Sequence, residues 1–140
     1  MDEYKLVTDP KIIGPGVWYN IHTKAKLAVD ASTKEDFIKE MYFQYHNFPC
    51  LNCRNHIQEY METHPIEPFY TLIDENGKDV GLFKWTWLFH NTVNKRLNKK
   101  YMDWETAYNI YNLGESSIKP CTSCGSDKTK IIQNYFNRFM

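Results

Sequence analysis

Breakers divide this chain into short stretches, and within the stretches apolar residues return every three or four positions. The divisions are Gly14-Pro15-Gly16, Asn47-Phe48-Pro49, His64-Pro65, Asn98-Lys99-Lys100 and Asn112-Leu113-Gly114. Such punctuation admits helices of a few turns and disfavours strands, which need a period of two. From Val17 to about Val29 the apolar positions are Val17/Trp18, Ile21, Ala25 and Ala28. Ser32-Thr33 followed by Glu35-Asp36 signals the start of a second helix. Phe37, Ile38, Met41, Tyr42 and Tyr45 fall on one side of it. Pro49 suits the first turn of a third helix, Cys50 to about Thr63, which His64-Pro65 ends. A long helix is predicted from Gly81 to about Leu97, and Asp103 caps a last one through Tyr111. Between them, Asp74-Glu75-Asn76-Gly77 is a turn, and only Phe69–Ile73 reads as a possible strand. The predicted class is all-α. Residues 1–13 lack a clear period and form an N-terminal lead-in. Residues 14–113 are one domain. Residues 114–140 are a flexible tail, polar and Ser/Lys/Thr-rich over 114–130, and its terminal segment from Ile131 to Phe139 reads as a short helix or a docking peptide.

Composition narrows the function. Seventeen basic residues balance seventeen acidic ones in 140 residues. A neutral chain carries no electrostatic footprint for nucleic acid or an anionic membrane, so neither is an expected partner. No apolar run reaches membrane-spanning length, and Met1-Asp2-Glu3-Tyr4-Lys5 lacks a signal-peptide plan, so a cytosolic, soluble protein is expected. Aromatic residues make up 16% of the chain, more than a small core requires. The excess points to a flat ligand or an adhesive interface.

The four cysteines form two pairs, Cys50-Leu51-Asn52-Cys53 and Cys121-Thr122-Ser123-Cys124. Two CxxC pairs in a cytosolic chain indicate redox chemistry or metal binding rather than a disulfide scaffold. Cys50 and Cys53 open a predicted helix, where unpaired N–H groups and the helix dipole stabilise a thiolate. Two cysteines in one first turn can also close a small, reducible disulfide. The alternative is half of a zinc site. Pro120-Cys121-x-x-Cys124-Gly125 resembles one knuckle of a zinc ribbon, and all four cysteines could make a non-enzymatic zinc-binding interaction module. Against this, residues 54–120 separate the pairs, whereas compact four-cysteine sites use a gap of about 15–20 residues. On the redox reading the tail pair is a shuttle that visits both a substrate and a fixed disulfide.

The helix from Gly81 to Leu97 carries a second signal. On a helical wheel Trp87, His90, Asn91 and Asn94 share an arc about 100° wide. Buried carboxamides need partners, which a heterocyclic ligand or an interhelical polar network could supply. Trp18 and His22 also share a helix face, as a packed core pair or as part of a ligand site. Lys95, Arg96, Lys99 and Lys100 are a solvated face, or a pyrophosphate contact if a ligand lies beside them.

Taken together these residues resemble the Erv/ALR family of FAD-dependent sulfhydryl oxidases. Gly14-x-x-x-Trp18-x-x-x-His22 resembles the family's first-helix motif. Phe48-Pro49-Cys50-Leu51-Asn52-Cys53 resembles its (Y/F)PCxxC active site. Trp85 with His90-Asn91-Thr92-Val93-Asn94-Lys95-Arg96-Leu97-Asn98-Lys99 resembles its HNxVNxxLxK flavin signature. The likeness runs from about Gly14 to Tyr111 and is strongest to the compact versions of large cytoplasmic DNA viruses. It implies a four-helix bundle with a short fifth helix, FAD at the bundle mouth, and a homodimer. It implies that Cys53 lies against the isoalloxazine as the charge-transfer thiolate and that Cys50 is the interchange thiol. Trp18, His22, His90, Asn91, Val93 and Asn94 would line the flavin and adenosine. Lys95 and Lys99 would approach the phosphates, and Tyr111 the adenine end. His46 falls where the family often has a flavin-contacting residue. Electrons would come from protein dithiols or a thioredoxin-like dithiol carrier and end on O2, giving H2O2. The viral likeness implies action in the host cytoplasm, at viral assembly sites or in the virion. Two departures stand out: Pro15 occupies the place of the Arg usual in cellular members, and their additional structural cysteine pair is missing, a lack that viral relatives share.

Overall fold

The structure is a computed structural model and describes residues 7–112. Those residues form six helices and no strand: α1 (Pro10–Lys26), α2 (Ala31–Asn47), α3 (Leu51–Thr63), α4 (Glu67–Tyr70), α5 (Gly81–Arg96) and α6 (Trp104–Ile110). The all-α expectation is met, with the single-turn α4 as an addition. The chain divides into two compact units, and the division falls inside α5 between Thr86 and Trp87.

In the first unit α1 begins earlier than the sequence pattern implies. Asp9 is its N-cap, its carboxylate accepting the Lys11 N–H at 2.9 Å, and Pro10 sits at the first helical position. An aspartate cap and a proline needing no N–H partner start a helix without any apolar period. The lead-in expected over residues 1–13 is therefore helical from Pro10 onward. Gly14-Pro15-Gly16 does not break the chain either; the helix runs through Pro15. Pro15 forfeits one bond, to the carbonyl of the residue four earlier.

The cap of α2 is Asp30, not Ser32 or Thr33. Its carboxylate accepts the Thr33 N–H at 2.8 Å while the Thr33 hydroxyl accepts the Asp30 N–H at 3.1 Å, a reciprocal capping box. The Thr33 amide, then its hydroxyl, hold the Asp30 carboxyl below its ordinary pKa. The buried stripe of α2 is Lys34, Phe37, Met41 and Gln44. Tyr42, read as part of that stripe, is exposed.

α1 packs on α2 and α2 on α3, around the buried Trp85 of α5. The Trp85 ring meets Phe37 at 6.1 Å and Tyr60 at 5.2 Å, both edge to face. Its indole N–H donates to the His64 carbonyl at 2.8 Å, and the Tyr60 hydroxyl donates to the Trp85 carbonyl at 3.2 Å. Burial raises the Tyr60 pKa, so the phenol stays a neutral donor.

The possible strand at Phe69–Ile73 does not form. Phe69 and Tyr70 are helical in α4, and Ile73 makes one isolated bridge to Asp79 across a turn closed by Gly77 at φ 75°. Lys34 reaches this segment from α2. Its ammonium donates to the Tyr70 carbonyl at 2.6 Å, lies 4.7 Å from the centre of the Tyr70 ring, and pairs with the Asp79 carboxylate. Lys34→Met would leave a half-buried carboxylate and a carbonyl without their cation. The expected loss is about 2–3 kcal/mol in urea unfolding; a change inside experimental error would show the ion pair to be dispensable.

The second unit comprises the C-terminal part of α5, a connecting turn and α6. Asn98 at φ 54° follows the end of α5, a left-handed position that Asn tolerates. Asp103 caps α6 through the Thr106 N–H at 2.8 Å, as its sequence position implies. Trp87 packs against Tyr101 and Trp104, with ring centres at 6.0 and 5.3 Å.

Candidate functional site

Cys50 is the N-cap of α3, and its sulfur accepts the Cys53 N–H at 3.4 Å. Pro49 therefore precedes the cap instead of occupying the first turn, because the sulfur itself takes the capping role. Cys50 and Cys53 are both half-buried thiols. Arg54 fastens the approach to them: its Nε–H donates to the Phe48 carbonyl at 2.7 Å, and its backbone N–H donates to the Cys50 carbonyl at 2.8 Å. The sequence signals Arg54 only by its place one turn after Cys50, and pattern reasoning passed over it.

The Cys50 pKa lies below its ordinary value. The largest cause is a hydrogen bond from the Cys53 thiol, followed by the backbone N–H groups of Cys53 and Asn52. Desolvation and the Asp9 carboxylate act in the opposite sense. With the folded pKa below the unfolded one, the thiolate stabilises the reduced protein at high pH. That contribution disappears as pH falls through the folded value. Alkylation of reduced Cys50 by iodoacetamide should accordingly stay fast at pH values where denatured protein has slowed. Superimposable folded and denatured pH profiles would refute the lowered pKa.

Also in the first unit, Trp18 and His22 stack on one face of α1, ring centres 5.5 Å apart and planes 20° from parallel. Phe83 meets the His22 ring edge-on at 5.9 Å. His22 Nδ1 lies 3.0 Å from the Thr86 hydroxyl. His22 and Thr86 are both 0% exposed. Thr86 carries no periodic or motif signal, since a threonine in an apolar helix usually satisfies itself on its own backbone. Gly14 is half-buried, and a Cβ there would meet nothing within 4 Å. His46 is exposed near the end of α2, against Tyr45 at 4.9 Å and Tyr42 at 6.5 Å.

In the second unit the polar arc of α5 divides into two behaviours. Asn91 clamps one residue of the turn: its Nδ2 donates to the Met102 carbonyl at 2.9 Å and its Oδ1 accepts the Met102 N–H at 2.9 Å. The Trp87 indole donates to the same carbonyl at 2.7 Å. These two polar groups are committed to the protein's own backbone. His90 and Asn94 are buried, and Asn94 Nδ2 has no hydrogen-bond partner among the described residues. Val93 is half-buried, Lys95 and Lys99 are exposed, and Tyr111 is buried at the end of α6. The tail pair Cys121 and Cys124 lies outside the described residues, as does the 114–140 segment as a whole. Among the described residues no group of three or more His, Cys, Asp or Glu side chains could hold a metal ion, and no helix is long and apolar enough to cross a membrane.

No solved structure matches the chain. Proteins named FAD-linked sulfhydryl oxidase from African swine fever virus do. The protein of a Kenyan pig isolate is 37% identical over 122 residues, spanning 85% of this chain and 92% of its own length. That of a Namibian warthog isolate is 36% identical over the same spans. Residues 15–113 match the Erv1/Alr family, and with that match and the viral relatives covering most of its length, the chain belongs to the Erv1/Alr family.

Proposed function

We propose that this protein is an FAD-dependent thiol oxidase that forms disulfides in protein substrates. The observation that carries the reading is the Cys50–Cys53 dithiol at the start of α3, with the Cys50 pKa lowered by its own partner and by the helix amides. Names borne by the viral relatives support it.

In the oxidised enzyme a substrate thiolate attacks the Cys50 sulfur of the Cys50–Cys53 disulfide. A mixed disulfide forms at Cys50, and Cys53 leaves as thiolate. A second substrate thiolate then attacks the substrate sulfur of that mixed disulfide and displaces Cys50. A low-pKa thiol is the better leaving group, so the arrangement around Cys50 speeds release of oxidised product. The substrate has lost two electrons and two protons, and Cys50 and Cys53 are both reduced. Bound FAD supplies the remaining chemistry, taking up the electron pair and passing it to O2 to give H2O2.

The residues present suit such a cofactor. The buried Asn94 Nδ2 retains an unmet donor, which an acceptor on a heterocycle would satisfy. We assign cofactor binding to Gly14, Trp18, His22, His46 and Cys53 in the first unit. In the second we assign Trp87, His90, Asn91, Val93, Asn94, Lys95, Lys99 and Tyr111, with Trp87 and Asn91 acting through the Met102 turn. Cys121 and Cys124 would relay electrons from substrate dithiols to Cys50, the enzyme would act as a homodimer, and a thioredoxin-like carrier could replace a protein substrate. The viral source of the relatives supports action in the cytoplasm of an infected host. Family membership disfavours the four-cysteine zinc module.

The test is the visible absorbance spectrum of purified protein before and after dithiothreitol in air. A two-banded yellow spectrum, with oxygen consumed and peroxide released on adding thiol, is the expected result. A colourless protein holding stoichiometric zinc would overturn the assignment.

A further inference from the structure

Asp9 and Cys50 both cap helices, and the topology brings the two caps to one end of the first unit. α1 packs on α2 and α2 on α3, joined by the short links 27–30 and 48–50. Helices joined by short links and packed together run antiparallel. Asn20 Nδ2 donates to Glu40 Oε1 at 2.7 Å, and Gln58 Nε2 donates to the Tyr45 carbonyl at 2.9 Å, pairings that suit two such hairpins. α1 and α3 therefore run in the same direction, and their N-termini lie at the end where α2 finishes. Asp9 stands at the first of these N-termini and Cys50 at the second. The carboxylate is near enough for its charge to oppose ionisation of the Cys50 thiol.

Asp9 is exposed, so its charge acts on whatever approaches Cys50 as well as on Cys50 itself. The carboxylate is held in place by the Lys11 N–H it accepts at 2.9 Å. Arg54, the cation one turn after Cys50, has its Nε–H taken up by the Phe48 carbonyl. We infer that Asp9 is a specificity-determining residue that favours substrate dithiols with a basic residue beside the cysteine and disfavours those with an acidic one. The inference rests on the reading that substrate attacks Cys50. In that step the substrate sulfur bonds to Cys50, the Cys50–Cys53 bond breaks, and Cys53 leaves with the electron pair as thiolate. The attacking thiolate carries one negative charge toward Asp9. A neighbouring lysine on the substrate cancels that charge, whereas a glutamate doubles it. In water, at a separation of about 8 Å, each unit charge alters the rate roughly twofold, so lysine and glutamate substrates should differ about fivefold.

The experiment uses the intact FAD-loaded protein and three tripeptide dithiols with blocked ends, Cys-Lys-Cys, Cys-Gln-Cys and Cys-Glu-Cys. Oxygen uptake at limiting peptide gives kcat/KM for each. At low salt the wild-type protein should oxidise the lysine peptide about fivefold faster than the glutamate peptide, and about 0.5 M salt should erase the difference. Asp9→Asn should bring the two rates together at low salt. Asparagine caps a helix as well as aspartate does, so α1 should keep its start. The ratio of rates is compared between proteins, so the intrinsic reactivity of each peptide cancels, and the glutamine peptide reports any change in Cys50 itself. An unchanged lysine-to-glutamate ratio in Asp9→Asn would overturn the inference. So would faster oxidation of the glutamate peptide by wild-type protein, which would hand control to Arg54; this comparison needs no variant to fold. If the glutamine peptide drew no oxygen at all, the oxidase reading would be the part that fails.

Discussion

Cys53→Ser should abolish dithiothreitol-driven oxygen consumption, a drop of about 10³-fold or more, while the protein folds and stays yellow. No disulfide can form without the second sulfur, so neither substrate exchange nor electron delivery can proceed, and residues that act as a unit fail together. The fold should survive because the N-cap of α3 is Cys50, and the capping N–H comes from the Cys53 backbone, which the substitution keeps. Cys50→Ser makes the complementary case. Serine is a strong N-cap, so thermal stability should hold or rise while turnover is lost. The same dithiol also sets its own acidity. Cys53→Ala removes the thiol that most lowers the Cys50 pKa, so the alkylation profile of Cys50 should move to higher pH. Oxygen consumption at the wild-type rate in Cys53→Ser would sink the assignment of this pair as the redox centre.

Gly81→Ala should destabilise the protein by about 3 kcal/mol or more, the largest stability loss expected of a Gly→Ala change among the described residues. A Cβ at Gly81 would stand 1.6 Å from the Phe69 carbonyl oxygen, 2.7 Å from its carbon and 3.0 Å from Leu72 Cβ. Two of these three neighbours are backbone, which cannot rotate away as a side chain would. Either α4 must move or the start of α5 must shift. The first turns of α5 carry Leu82, Phe83 and Trp85, all buried. Gly16→Ala is the control: nothing lies within 4 Å of its added Cβ, and alanine is the better helix former. Thermal unfolding should place Gly81→Ala far below wild type and Gly16→Ala at or above it. Equal midpoints for all three proteins would show that the close approach of α4 to α5 is not as tight as described.

Much of this arrangement could be read from local pattern. The helices after α1 begin and end within a few residues of their breakers, because caps and prolines act over one turn and need no distant partner. Asp103 and Asn98 mark the boundaries of α6 and α5 for this reason. The errors cluster where a cap precedes the periodic residues. Asp9 and Asp30 start α1 and α2 ahead of the apolar pattern, and Thr33, read as part of the start signal, answers the Asp30 cap from inside the first turn. The Phe69–Ile73 segment read as a strand from its β-branched and aromatic residues alone. Its backbone instead turns where Lys34 ties Tyr70 and Asp79 to α2, a constraint that enters from 36 residues away.

The site shows the same division. The pairing of Cys50 with Cys53, and of Trp18 with His22, follows from spacing alone, since residues three or four apart on a helix are neighbours by geometry. The polar arc of α5 was legible as an arc, but not its use. Asn91 and Trp87 are engaged by the Met102 backbone, whereas Asn94 keeps a buried, unmet donor. The chain by itself determined that Cys50 and Cys53 open one helix, that Trp18 and His22 share another, and that Trp87, His90, Asn91 and Asn94 share a third. Only the tertiary structure decided their state: Thr86 meets His22 from 64 residues away, and the Phe69 carbonyl forbids a side chain at position 81. Hydrogen bonds and steric contacts of this kind depend on where two distant segments are packed, and no periodicity in either segment records the other.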